Sequence, residues 1–127
     1  MTEARALVID DNVQNLRVMI QMLARQGVSS VEFANPTMLY KVLPTLEQID
    51  VAFLDLEMPV MNGYVVKDLL REKFGEIPII AYTVHLSEVN VVRRLGFNGF
   101  LAKPLNSDRF PGQLARILRG EAVWDRA

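Results

Sequence analysis

The chain is expected to fold as a doubly wound α/β sandwich, with five parallel strands in the order 2-1-3-4-5 and five intervening helices. Three observations predict it. Short apolar runs recur along the sequence, too short for helices and apolar on both faces, as strands buried within a parallel sheet are. Stretches with apolar residues three and four apart separate them. Several of the runs also close on a polar or charged residue, which places those residues together along one sheet edge.

The first run is Ala6-Leu7-Val8-Ile9, closing on Asp10-Asp11. Val13, Leu16, Ile20, Leu23 and Ala24 then keep helical spacing until Gly27. Val31-Glu32-Phe33 alternates, as an edge strand does. Asn35-Pro36 supplies a cap and a first helical residue for Met38, Val42 and Leu43. The third strand, Val51-Ala52-Phe53-Leu54, closes on Asp55, and Val65, Leu69 and Leu70 follow Gly63. The fourth, Ile77-Pro78-Ile79-Ile80-Ala81, leads to Thr83, and Val89, Val92 and Leu95 precede Gly96. The fifth, Phe100-Leu101-Ala102, closes on Lys103. Phe110, Leu114, Ile117 and Leu118 form the last helix, with Asn106 to Asp108 available for capping and Gly120 as a stop. Pro111 belongs in the first turn of that helix, so it starts a few residues after Asn106.

The composition agrees with a single domain over residues 1–120 and a short tail over 121–127. Of the 127 residues 50% are hydrophobic and 23% charged, which argues against disorder. With no cysteine, thiol catalysis, disulfides and Cys-ligated metals are excluded. Fourteen basic residues against fifteen acidic ones give a net charge of -1, so no basic field points to nucleic acid or an anionic membrane. No apolar run approaches the ~20 residues of a membrane span, and the N-terminus lacks a signal-peptide pattern. A cytoplasmic domain is expected.

In a parallel sheet of this order the first and third strands are neighbours where the strand order reverses, so Asp10, Asp11 and Asp55 converge. Thr83 and Lys103 come to the rim. Three carboxylates repel one another unless a cation joins them, and hard oxygen ligands point to Mg²⁺ or Mn²⁺. Lys103 adds a charge for a phosphate dianion, and the Thr83 hydroxyl can donate to it. A carboxylate nucleophile, a metal, a lysine and a hydroxyl make a phosphoryl-transfer site. Taken singly, each residue has a plainer reading. Asp10 or Asp11 can cap a helix, Asp55 can start a turn, Thr83 can cap the next helix, and Lys103 can sit on an exposed loop. The set is more specific than its members.

From about Ala4 to Arg119 the sequence resembles a response-regulator receiver domain, the phospho-acceptor module of two-component signalling, in its stand-alone form. The resemblance rests on Leu7-Val8-Ile9-Asp10-Asp11-Asn12, on Asp55-Leu56-Glu57-Met58-Pro59-Val60-Met61-Asn62-Gly63, on Tyr82-Thr83 and on Phe100-Leu101-Ala102-Lys103-Pro104. It implies a flavodoxin-like fold in which Asp55 takes a phosphoryl group from a phosphohistidine. Asp11, Asp55 and the Glu57 carbonyl would touch Mg²⁺, with Asp10 acting through water. Lys103 would pair with the phosphate, and its bond to Pro104 would be cis. Thr83 would swing toward the phosphoryl oxygen as Phe100 turns inward, changing the surface.

Where the family prefers a small residue this chain has Val84, expected to narrow access to the site or slow the switch. Glu57 and His85 match positions that tune loss of the phosphoryl group. Partners implied are a histidine kinase or histidine phosphotransfer protein, and a downstream protein or second copy on the face of the fourth helix, fifth strand and fifth helix. Val89, Val91, Val92 and Leu95 make the fourth helix apolar over nearly half its circumference, either as a broad core face or as an exposed patch. Trp124 either folds back on the body or reaches a partner. Two other functions compete: a receiver-shaped adaptor independent of phosphorylation, and a small Mg²⁺-dependent phosphatase of the haloacid-dehalogenase type. The latter carries its nucleophile at the end of the first strand, unlike Asp55.

Overall fold

The computed structural model describes residues 4–56, 58, 62–84 and 89–125. In chain order the elements are β1 Arg5–Ile9, α1 Val13–Arg25, β2 Ser29–Phe33, α2 Pro36–Val42, β3 Val51–Asp55 and α3 Gly63–Phe74. They continue with β4 Ile79–Thr83, α4 Val89–Arg94, β5 Gly99–Ala102, α5 Phe110–Leu118 and β6 Val123–Trp124. All strand pairs are parallel and the order is β2-β1-β3-β4-β5-β6. The five-strand order is the expected one. A two-residue strand from the C-terminal segment extends it beyond β5, so Trp124 folds back on the body.

The period-two alternation of strands decides which layer each side chain enters. Ala6, Val8, Val51, Phe53, Ile80, Tyr82 and Leu101 pack with Leu16, Met19 and Leu23 of α1 and with Phe110, Leu114 and Ile117 of α5. Their sequence neighbours Leu7, Ile9, Ala52, Leu54, Ile79, Ala81 and Phe100 pack on the other face with Leu39, Val66, Leu70 and Val92 of α2, α3 and α4. Burying a large aliphatic or aromatic side chain is worth about 1.5–3 kcal/mol, so a sheet apolar on both faces needs helices on both.

Local chemistry sets the helix ends. Asn35 Oδ1 accepts the Thr37 N–H at 3.0 Å ahead of α2, and Asn62 Oδ1 accepts the Tyr64 N–H at 2.7 Å ahead of α3. Gly96 follows α4 with φ +92°, a conformation that disfavours any side chain. Asn106 holds the turn before α5 through its bonds to the Asp108 and Arg109 amides, and the helix itself begins at Phe110. On α4, Val92 is buried while Val91, and Leu95 just past the helix end, are exposed, so the apolar face is broader than its core contact.

Candidate functional site

β1 and β3 are adjacent, and their C-terminal ends bring Asp10, Asp11 and Asp55 together. Carboxylate oxygens of the three lie within 4.8 Å of one another. Asp10 and Asp55 are buried, Asp11 is exposed. An all-oxygen donor set with one exposed member suits a hard divalent cation that keeps open positions. This cluster could bind a metal ion.

Lys103 reaches the cluster from the end of β5. Its Nζ lies 2.9 Å from Asp10 Oδ2 and 3.4 Å from Asp55 Oδ2, and its side chain is only 9% exposed. The Lys103–Pro104 bond is cis. The ammonium also stands 4.3 Å from the centroid of the Tyr82 ring. Lys103 is therefore no exposed loop lysine, and it sits deeper than the rim. Thr83 is deeper too: it is buried, and its carbonyl accepts the Lys103 N–H at 2.9 Å. Phe100 is fully buried.

Burial pushes the Asp10 carboxyl above its ordinary value of 3.8, and the nearby Asp55 charge adds to this. The Asn12 N–H, donating to Asp10 Oδ1 at 2.9 Å, and the Lys103 ammonium oppose the shift without cancelling it. Burial likewise holds the Tyr82 phenol far above its usual range, so it stays a donor, to the Asn15 carbonyl at 3.2 Å. Among the described residues one ammonium stands against three carboxylates, a balance that suits a bound cation.

The cleft encloses about 180 Å³ and is lined by Asp11, Asn12, Asn15, Asp55, Val84 and Lys103. Sites for drug-sized ligands run to ~300–1,000 Å³, so this one fits an ion and a small oxyanion. Val84 is 57% exposed at its mouth. Asn12 and Tyr82 stand in the motifs above without a role of their own, and Asn15 stands in none of them. The cap of α1 is Asn12 rather than Asp10 or Asp11, its Oδ1 accepting the Asn15 N–H at 3.1 Å. Glu57 and His85 lie outside the described residues.

The sequence profile described as response regulator receiver domain matches residues 6–115. The osmosensing histidine protein kinase SLN1 of Saccharomyces cerevisiae is 30% identical over 112 residues, covering 82% of this chain and 9% of that protein. Stress response regulator protein 1 of Meyerozyma guilliermondii is 30% identical over 112 residues, covering 84% of this chain and 51% of that protein. The chain thus spans about half or less of these curated relatives. The solved chemotaxis response regulator CheY4 of Vibrio cholerae superposes with a TM-score of 0.79 at 23% identity, over 91% of this chain and 99% of that one. At that identity the likeness speaks to the fold. Among the described residues no helix is long and apolar enough to cross a membrane.

Proposed function

Because the chain belongs to the response regulator receiver domain family, we propose that Asp55 accepts a phosphoryl group from a phosphohistidine of a histidine kinase or phosphotransfer protein. The observation that carries this reading is the convergence of three carboxylates and a nearly buried lysine in a cleft of phosphoryl size. An Asp55 oxygen attacks phosphorus as the P–N bond breaks. The imidazole, protonated on its other nitrogen, leaves with the bonding pair as a neutral ring.

Lys103 is placed to exchange its contact with Asp55 for one with the phosphoryl oxygens, keeping Asp10 as its anchor. Thr83, one strand position from the cleft-lining Val84, would turn its hydroxyl toward the same group. Asp10, Asp11 and Asp55, with the Glu57 carbonyl, would hold Mg²⁺ or Mn²⁺, which when bound neutralises charge on the phosphoryl oxygens. Phe100 is fully buried, which is the inward position this reading gives it when the switch is thrown. Val84, Glu57 and His85 would set access to the phosphoryl group and its lifetime.

The domain acts as an acceptor rather than a turnover catalyst, in the cytoplasm. Output through the face of α4, β5 and α5, to a downstream protein or a second copy, is supported by the exposed Val91 and Leu95. Incubation with Mg²⁺ and acetyl phosphate or beryllofluoride tests the reading. A phosphoryl mass gain, or fluoride signals from a bound complex, should appear and vanish in Asp55→Asn. No response with metal shown to be bound would overturn it in favour of the phosphorylation-independent adaptor.

A further inference from the structure

A strand presents its backbone hydrogen-bonding groups alternately to its two neighbours. At the end of β5 the Lys103 N–H faces β4 and donates to the Thr83 carbonyl at 2.9 Å. The Phe100 carbonyl and the Ala102 N–H face the other way. If β5 were the last strand, both would lack a sheet partner. Asp125 answers both. Its N–H donates to the Phe100 carbonyl at 2.8 Å, and its Oδ2 accepts the Ala102 N–H at 3.2 Å. The other carboxylate oxygen lies 3.5 Å from the Arg109 guanidinium, and the side chain is 8% exposed.

The segment before Asp125 is fitted to this position. A Cβ at Gly99 would lie 2.7 Å from the Val123 carbonyl oxygen and 2.9 Å from Ile80 Cδ1. Only glycine lets Val123 come so close. Trp124 packs against the core, and the Arg93 guanidinium stacks on its ring with Cζ 4.5 Å from the centroid.

We propose that Asp125 is a positioning residue for Lys103. It holds the end of β5 from the side opposite Thr83, one residue before the lysine that reaches Asp10 and Asp55. The ion pairs of Lys103 cannot do this alone. Its flexible stem lets the ammonium keep a contact from several backbone positions, and the contact with Asp55 is the one a phosphoryl group would replace. The geometry has to come from the backbone, and Asp125 secures it. The inference rests on the phosphoryl-acceptor reading for what Lys103 does, but not for where Lys103 is.

The test uses the full chain with Asp125→Ala, Asp125→Asn, Gly99→Ala and Lys103→Ala. One readout is the rate at which a small acylating reagent modifies Lys103, followed by mass spectrometry; the other is beryllofluoride affinity in Mg²⁺, followed by fluorine NMR. Asp125→Ala should raise Lys103 modification several-fold and weaken beryllofluoride several-fold. Asp125→Asn, which keeps an oxygen for the Ala102 N–H, should restore both. Gly99→Ala, which displaces Val123 while leaving Asp125 in the sequence, should reproduce the loss, and it serves if Asp125→Ala does not fold. In the Lys103→Ala background, Asp125→Ala should cost no further affinity. Unchanged Lys103 reactivity in Asp125→Ala and Gly99→Ala would overturn the proposal, as would an undiminished affinity loss in the Lys103→Ala background or failure of Asp125→Asn to restore. A wild-type chain that never binds beryllofluoride would overturn the acceptor reading instead, while the modification rates still decide the placement of Lys103.

Discussion

Lys103 Nζ lies 2.9 Å from Asp10 Oδ2, joining the end of β5 to the end of β1 inside the protein. Both groups are almost completely removed from solvent; the ammonium also has Asp55 Oδ2 at 3.4 Å, whereas loss of the ammonium leaves the two buried carboxylates facing each other. Removing one member of a buried pair costs ~3–5 kcal/mol because the other is left uncompensated. Lys103→Ala is therefore expected to lower the stability of the metal-free protein by about 3 kcal/mol. Mg²⁺ should recover more stability in this variant than in the wild type. Urea denaturation with and without Mg²⁺ measures both; equal Mg²⁺ effects would separate the metal from this charge cluster.

Asp10→Asn is expected to have the opposite sign. The Asp10 carboxyl titrates above its ordinary value of 3.8 mainly because it is buried. The folded chain thus binds this proton more tightly than the unfolded chain does. Its contribution to stability is fully present below pH 3.8 and is lost as pH rises through the folded value. A permanently neutral Asn removes that loss, so the metal-free variant should be more stable than wild type at neutral pH. Stabilisation by Mg²⁺ should shrink, since the neutral amide is a poorer ligand. Melting curves from acid to neutral pH follow both effects.

Val84 stands exposed at the mouth of the cleft that Asp55 and Lys103 line. Val84→Ala removes two methyl groups from the entrance and no core contact. Phosphorylation by acetyl phosphate should quicken several-fold, with the melting temperature nearly unchanged. A rate equal to wild type would show that Val84 does not limit access.

Gly63→Ala is expected to harm the site from behind. A Cβ there would lie 3.1 Å from the Asp55 carbonyl oxygen and 3.3 Å from Leu56 Cα, both backbone atoms with little room to yield. Overpacking of this kind costs ~1–3 kcal/mol. The strain falls on the residue that carries the acceptor carboxylate, so phosphorylation should slow along with the loss of stability. Full phosphorylation rates in a destabilised variant would show that the end of β3 does not move.

Much of this protein is legible one segment at a time. The apolar runs, their alternation and their polar endings place Asp10, Asp11, Asp55, Thr83 and Lys103 at strand ends, because period and burial are local properties of a sequence. Asn35, Pro36 and Gly96 mark helix ends for the same reason. The depth of Lys103 and Thr83 is not legible, since it depends on which strands stand side by side and on the Asp10, Asp55 and Tyr82 groups they bring to Lys103.

The sequence by itself determined the fold class, the strand order and the residues gathered at one sheet edge. Only the tertiary structure decided which of them touch. Lys103 and Asp10 are 93 residues apart along the chain, and no local pattern encodes a 2.9 Å contact across that separation. It likewise decided that Val123 and Trp124 form a strand. Two residues are too few to show a period, and their place rests on the space left at Gly99 and on the backbone groups that Asp125 completes.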